Sequence, residues 1–264
     1  MSTPPGIDLY WFSGTGNSLL VAEAMAEELR RLGREVTLLP LETSDPASVR
    51  TDRMLGLAFP VAAFSTYPLV WRFVEALPAT ASATAAFMVD TMASKSGGMV
   101  GPLGRRLAAK GYRLAGAREI IMPGNFLGRD KEATEQEKVA AGLAAARAYA
   151  ANLDAGRAVW PKDLLRQRFV CRLSRMCTRL WRVRWLRMMN MVTDRAKCTR
   201  CSLCVKLCPT GAIRMADFPV HDARCEYCQR CAGICPSGAI RMRGSVMKKP
   251  YLAVPADRFP RHGA

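Results

Sequence analysis

The sequence predicts an α/β chain in which a doubly wound parallel five-stranded sheet is followed by a helical connector and a small cysteine-rich α+β domain. Three observations predict this. Short apolar runs alternate with helix-like segments through the first half of the chain, the pattern of a parallel sheet with helices on both faces. The excess positive charge lies wholly in the second half, and all ten cysteines fall at or after Cys171.

The five apolar runs lie at residues 7–12, 36–41, 54–61, 85–89 and 119–122, each short enough for a strand. Helix-like stretches separate them around residues 19–32, 69–77, 103–110 and 133–153. Between the first run and the first helix stands SGTGNS, residues 13–18. A strand, a glycine-rich hydroxyl loop and a helix form a cradle for an anion, because backbone N–H groups and the helix N-terminus point at it. The loop lacks the GK[ST] of a Walker-type nucleotide site and the G-x-G-x-x-G spacing of a nicotinamide site.

Charge divides the chain. Residues 1–156 hold 16 basic and 16 acidic side chains, residues 157–195 hold 11 and 2, and residues 196–264 hold 12 and 4, within a net charge of +17. We therefore expect a sheet domain over 1–156, a basic connector over 157–195, a cysteine domain over 196–245 and a tail over 246–264. The tail, with three prolines and mixed charge, reads as a poorly ordered extension. The apolar stretches fall short of the ~18–20 residues of a membrane span, and MSTPPGIDLYWF lacks a basic leader region. A cytoplasmic location is the expectation.

Eight cysteines lie in a tandem repeat. Residues 198–215, CTRCSLCVKLCPTGAIRM, and 225–242, CEYCQRCAGICPSGAIRM, agree at ten of 18 positions. Each has the spacing C-x2-C-x2-C-x3-C-P, the signature of bacterial two-cluster ferredoxins, in which the fourth cysteine of each run ligates the other cluster. One [4Fe–4S] cluster then takes Cys198, Cys201, Cys204 and Cys235, and its companion takes Cys225, Cys228, Cys231 and Cys208. Zinc sites use separated C-x2-C pairs instead. The C-x3-C-x2-C run of radical S-adenosylmethionine chemistry is missing, because Gly211 stands where its third cysteine would be.

The SGTGNS loop resembles the flavodoxin phosphate loop, and AFPVAAFSTYP at residues 58–68 resembles its next ligand loop. With the cysteine repeat, the chain resembles a family of bacterial and archaeal flavodoxin–ferredoxin fusion proteins over about residues 6–155 and 195–243. The resemblance implies an FMN held by Ser13, Thr15, Gly16, Asn17 and Ser18. Its ring would lie between loops 60–67 and 90–99, with Pro60, Phe64, Thr91 and Gly97 as contacts. The second loop departs from the family by carrying no aromatic residue; Phe64 or Tyr67 could stack from the first.

Within the connector, Arg168, Arg172, Arg175, Arg179 and Arg182 form one helical stripe. Leu165, Phe169, Leu173, Met176, Leu180 and Val183 form the neighbouring apolar stripe. The apolar stripe is expected to bury itself between the two modules, with at most peripheral contact with an anionic membrane. Cys171 and Cys177 belong to neither cysteine run and read as small packing residues. His221 and His262 stand alone in the sequence and read as surface residues.

Together these readings give an electron-transfer iron–sulfur flavoprotein that serves an unidentified redox partner protein. No catalytic acid, base or nucleophile stands out. The alternatives are an FMN-dependent reductase of a small substrate fed through the clusters, or a dicluster ferredoxin with an empty flavodoxin-like domain. The basic half lacks the interleaved aromatics of a nucleic-acid platform, so no specific nucleic acid is expected.

Overall fold

The computed structural model describes residues 5–94, 98–125, 131–162, 165–184, 190–243 and 251–261, with the side chains of 166, 167 and 177–184 outside that description. Five parallel strands, β1 (Ile7–Trp11), β2 (Val36–Pro40), β3 (Met54–Ala62), β5 (Ala85–Met92) and β6 (Arg113–Ile121), form one sheet in the order β2-β1-β3-β5-β6. The two-residue β4 (Ser65–Thr66) folds back antiparallel on β3. Over the parallel strands this is the 2-1-3-4-5 order of flavodoxin-like folds, whose ligands sit beyond the carboxyl ends of the strands.

Every residue of the central β1 is buried, as expected where helices cover both faces. Leu9 and Trp11 face one layer with α1 (Asn17–Arg31) and α4 (Glu132–Asp154), packing with Met25, Phe87 and Tyr149. Tyr10 and Phe12 face the other layer, with Phe73 and Val74 of α2 (Pro68–Ala76) and Leu103 and Leu107 of α3 (Val100–Ala109). Asp8 is tolerated in this strand because Arg50 and Arg53 both donate to its carboxylate, at 2.7–2.8 Å. The fifth parallel strand begins six residues before the apolar run that announced it, because its first half, RLAGA, holds mostly small residues and no sustained run of large apolar ones.

The connector departs from expectation. Its helix α5 (Leu165–Arg184) leaves Leu165 75%, Phe169 68%, Leu173 41% and Met176 50% exposed. The buried side of α5 is instead the small-residue side. Cys171 is buried against Ser65, Ser174 Oγ donates to the Ala63 carbonyl, and Arg175 lies 4.4 Å over the Trp71 ring while pairing with Glu75 at 2.8 Å. Small side chains let the helix approach the β3–β4 turn closely, and the arginine stem covers the tryptophan.

The cysteine-rich module is built on two antiparallel ribbons, β7 (Met191–Thr193) with β10 (Ile240–Met242), and β8 (Ile213–Met215) with β9 (Pro219–His221). Short helices α6 (Leu203–Lys206) and α7 (Arg230–Ile234) carry the middle of each cysteine run. Pairing of β7 draws residues 191–193, assigned above to the connector, into the small module.

The tail is also ordered where it is described. Ala253 N donates to Thr15 O at 2.7 Å, Val254 and Phe259 are buried in the α1 layer core, and Arg258 pairs with Glu23. Two buried apolar anchors outweigh a composition that reads as polar and proline-rich.

The two modules meet around one buried cation. Arg230 is 1% exposed. It donates to Ser13 O at 2.7 Å and Leu207 O at 3.2 Å, and pairs with the equally buried Glu42 at 2.5 Å. Phe259 lies 4.5 Å and Phe12 5.7 Å from its guanidinium. Beside it, Glu226 accepts from the N-terminal N–H of α2 at Leu69, 2.9 Å, and pairs with Arg72.

Removing one partner of such a pair strands the other charge in a dry site, at a cost of about 3–5 kcal/mol. Arg230→Ala should therefore lower the denaturant midpoint strongly, and Glu42→Gln added to it should restore part of the loss. A single variant as stable as the parent would show that the pair is not a structural anchor.

Candidate iron–sulfur and anion sites

The cysteine repeat recurs in the backbone. Arg200 and Tyr227 (φ 57 and 58°), Ser202 and Gln229 (62 and 65°), and Gly211 and Gly238 (59 and 61°) occupy the left-handed region at equivalent places. Four of the six carry side chains, and such conformations persist only where the surroundings enforce them. They turn each run so that successive cysteines face inward.

The result is two cavities. One is lined by Cys198, Cys201, Cys204 and Cys235. The other is lined by Cys208, Cys225, Cys228 and Cys231. Each therefore gathers three cysteines of one copy and the fourth of the other, the crossed grouping read from the spacing. Among the described residues, no group of three or more His, Cys, Asp or Glu side chains is placed to hold a single metal ion. The thiols instead ring a volume.

The fourth cysteines share one more feature. Ala212 N donates to Cys208 Sγ at 3.3 Å and Ala239 N to Cys235 Sγ at 3.2 Å, with Thr210 and Ser237 hydroxyls at 3.7 and 3.6 Å. At Cys235 these bonds outweigh burial and hold the thiol below its ordinary value. At three other cysteines burial wins: it pushes Cys204 and Cys225 up to about 11 and Cys228 to about 12. Buried thiols of this kind become thiolates only when a metal charge compensates them.

The cavities differ in setting. Cys201 of the first is exposed to solvent and Cys198 is partly so, making this the outer cavity. The second, inner cavity is also lined by Phe12 at the end of β1. Its Cys228 touches the glycine loop: a Cβ on Gly14 would lie 2.1 Å from the Cys228 carbonyl oxygen. Tyr67 packs edge-on against Phe12, 5.4 Å between centroids. Burial first, and then neighbouring Cys228 and Glu226, raise its phenol above the ordinary range. It thus lies beside the inner cavity. His221, isolated in sequence, is not isolated in space: the β8–β9 ribbon returns its Nε2 to 3.5 Å from Cys231 Sγ, beside the inner cavity. His262 lies outside the described residues.

The anion loop is assembled at the carboxyl end of β1. Ser13, Thr15, Asn17 and Ser18 are all buried, and Gly16, at φ +106°, makes the turn into α1. Gly16 N donates to Ser13 Oγ, Asn125 Nδ2 to Thr15 Oγ1, and Asn17 Nδ2 to the Pro123 carbonyl. Ser18 Oγ and Thr91 Oγ1 share a hydrogen bond of 2.7 Å, which joins Thr91 to the loop. Among the described residues, the buried Asn17 Oδ1 has no hydrogen-bond partner. The C-terminal segment covers the loop, where a Cβ on Gly16 would lie 2.9 Å from Val254 N.

Of the other expected ring contacts, Pro60 stands beside Thr91 in the β3–β5 register, whereas Phe64 is turned to solvent. Pro60 is half-buried with its carbonyl accepting from Thr66, Phe64 is 58% exposed at the β3–β4 turn, and Gly97 lies outside the described residues. Sequence reasoning missed Arg230, Glu226 and the 251–254 segment. The repeat held a signal for the first two: Arg230 stands where the first copy has Leu203, and Glu226 where it has Thr199.

Comparison with known proteins agrees with this division. Residues 197–239 match the family model of the 4Fe-4S dicluster domain. No curated protein matches the chain. Among solved structures, the chain is similar to a flavodoxin of Streptococcus pneumoniae TIGR4, with 16% identity, 56% of this chain and 97% of that one covered, and a TM-score of 0.41. A short-chain flavodoxin associated with a non-canonical PDU bacterial microcompartment shows 13% identity, 59% and 100% coverage, and a TM-score of 0.44. The flavodiiron protein of Giardia intestinalis shows 15%, 58% and 38%, and 0.35. The fold assignment itself rests on the strand order. The chain thus joins a sheet of flavodoxin-like strand order to a segment similar to 4Fe-4S dicluster domains.

Proposed function

We propose that the chain is an electron-transfer protein holding two [4Fe–4S] clusters and an FMN, and that it exchanges electrons with a separate redox protein. The observation that carries this reading is the sorting of eight cysteines into two cavities in crossed sets. Cys198, Cys201, Cys204 and Cys235 would ligate one cluster; Cys225, Cys228, Cys231 and Cys208 would ligate the other. When bound, the clusters supply one-electron chemistry and the flavin converts between one- and two-electron steps.

The chain's own residues do the rest. The exposed Cys201 edge gives a partner its approach to the outer cavity. The N–H groups of Ala212 and Ala239 stabilise sulfur charge, which favours the reduced state of each cluster. Contact between Cys228 and Gly14 sets the inner cavity directly against the anion loop. First-turn N–H groups of α1 lack intrahelical acceptors and suit a phosphate, and the unpartnered Asn17 Oδ1 is an acceptor for a ligand hydroxyl. Val254 and its neighbours keep water from that loop.

A second reading has a specific observation behind it. Thr15 and Ser18 hydroxyls are already paired with Asn125 and Thr91, and the loop is roofed by residues 253–254. On this reading the sheet domain is a flavin-free platform that fixes the iron–sulfur module.

Two experiments separate and test these readings. Anaerobically reconstituted protein should contain about eight iron and eight acid-labile sulfides. Cys208→Ser should damage the cluster on Cys225, Cys228 and Cys231 while sparing the one on its sequence neighbours; resolved paramagnetic resonance spectra decide it, and loss of the opposite cluster refutes the crossed scheme. The wild type should also take up one FMN, seen by quenching of flavin fluorescence, and Thr15→Glu should abolish uptake by setting like charge against the phosphate. Stoichiometric iron without any FMN uptake would establish the platform reading.

A further inference from the structure

We propose that the exposed face of α5 docks on an anionic lipid membrane, with the helix lying in the plane of the headgroups. Leu165, Phe169, Leu173 and Met176 follow one another at spacings of 4, 4 and 3, so they form a continuous stripe, and each is at least 41% exposed. An apolar stripe of this length normally finds a partner. The opposite side of the same helix is already used: Cys171, Ser174 and Arg175 hold it to Ser65, Ala63 and Trp71. The stripe is therefore held outward by the packing of its own helix. The turn that receives Ser174 also carries Phe64, 58% exposed, beside the helix.

Charge identifies the partner. The twenty residues of α5 contain seven arginines and no acidic residue, and Arg172, between Phe169 and Leu173, is exposed. An exposed arginine set in a Phe/Leu/Met stripe, on a helix whose sequence is rich in arginine and free of acid, is the composition of an interfacial helix: the apolar side chains enter the acyl boundary while the Arg172 guanidinium meets a phosphate headgroup. No described helix is long and apolar enough to cross a membrane, which agrees with a helix that lies on the surface. An acidic protein would neutralise the arginines but would also need an apolar groove matched to the stripe; a bilayer supplies both without shape matching. This inference does not depend on the clusters or the flavin.

The test is sedimentation of the full-length, cluster-loaded protein with vesicles of phosphatidylglycerol and phosphatidylcholine, compared with phosphatidylcholine alone. Wild type should partition onto the anionic vesicles and be released at 1 M salt, where the Debye length is about 3 Å. Arg172→Gln should weaken partition about fivefold. The double variant Phe169→Ser, Leu173→Ser should weaken it on the order of tenfold or more while keeping its visible absorption and unfolding midpoint, because both side chains face solvent. Failure of the wild type to bind, or undiminished binding by the double variant, would overturn the proposal. So would a dimer in light scattering that the double variant dissolves, since the stripe would then belong to a second copy of the chain.

Discussion

The structure depends on a single buried guanidinium. Arg230 belongs to the second cysteine run by sequence, yet its hydrogen bonds reach the first strand's loop at Ser13, the first cysteine run at Leu207 and, through Glu42, the turn after β2. Those three elements come from three parts of the chain, and no apolar residue could satisfy both carbonyls. An arginine can, because its five donors lie in a fixed fork. Phe259 and Phe12 lie 4.5 and 5.7 Å from the group, and its near-complete burial excludes water, which strengthens every bond inside. The inner cavity therefore sits against the sheet domain in one arrangement rather than swinging on a tether.

This anchoring explains why the two copies of the repeat have diverged where they have. The four cysteines, the proline and the Gly-Ala-Ile segment are the same in both copies, because each must wrap an equivalent cavity. Eight positions differ, and among them are Thr199 against Glu226, Arg200 against Tyr227 and Leu203 against Arg230. In the second copy Glu226 and Arg230 grip the sheet domain. In the first, Leu203 makes only an apolar contact with the α1 layer core, Thr199 and Arg200 are exposed, and Arg195 and Arg200 both lie over the Phe218 ring at 5.4 and 4.7 Å. An internal pseudo-symmetry is thus broken into an inner and an outer side by two charged residues. The surrounding arginines also place positive charge near both cavities, which raises the potential of an anionic cluster.

How much of this was legible in advance follows from the range of each signal. The alternating runs fixed five strands and their helices because burial on both faces leaves a local mark. The cysteine spacing foretold the crossed sets of cysteines around two cavities, because the spacing is local to each run. The strand, glycine loop and helix over residues 7–31 were legible for the same reason. The docking was not: Arg230 reads as one more arginine in a basic domain until its position is compared with Leu203. The covering of the loop by residues 253–254 depends on two apolar anchors, Val254 and Phe259, too sparse to register in a composition rich in proline and charge. His221 was misplaced because a hairpin, not its sequence neighbours, brings it to Cys231.

The connector shows the same principle in reverse. Its periodicity was read correctly as an amphipathic helix, but the partner of its apolar face was inferred from the assumption that a connector must join the modules it connects. In this chain the joining is done elsewhere, by Arg230, by Glu226 at the start of α2 and by the C-terminal segment on the anion loop. With the interface already closed, α5 is needed only to carry the chain across, and its small-residue side with Cys171 and Ser174 suffices to seat it. The apolar stripe is then surplus to the fold. Four large apolar side chains held in water between arginines cost solubility and contribute nothing to the packing of either module. Their arrangement on one exposed face, with no acidic residue in the helix, is a physical property that the interior of this protein does not use.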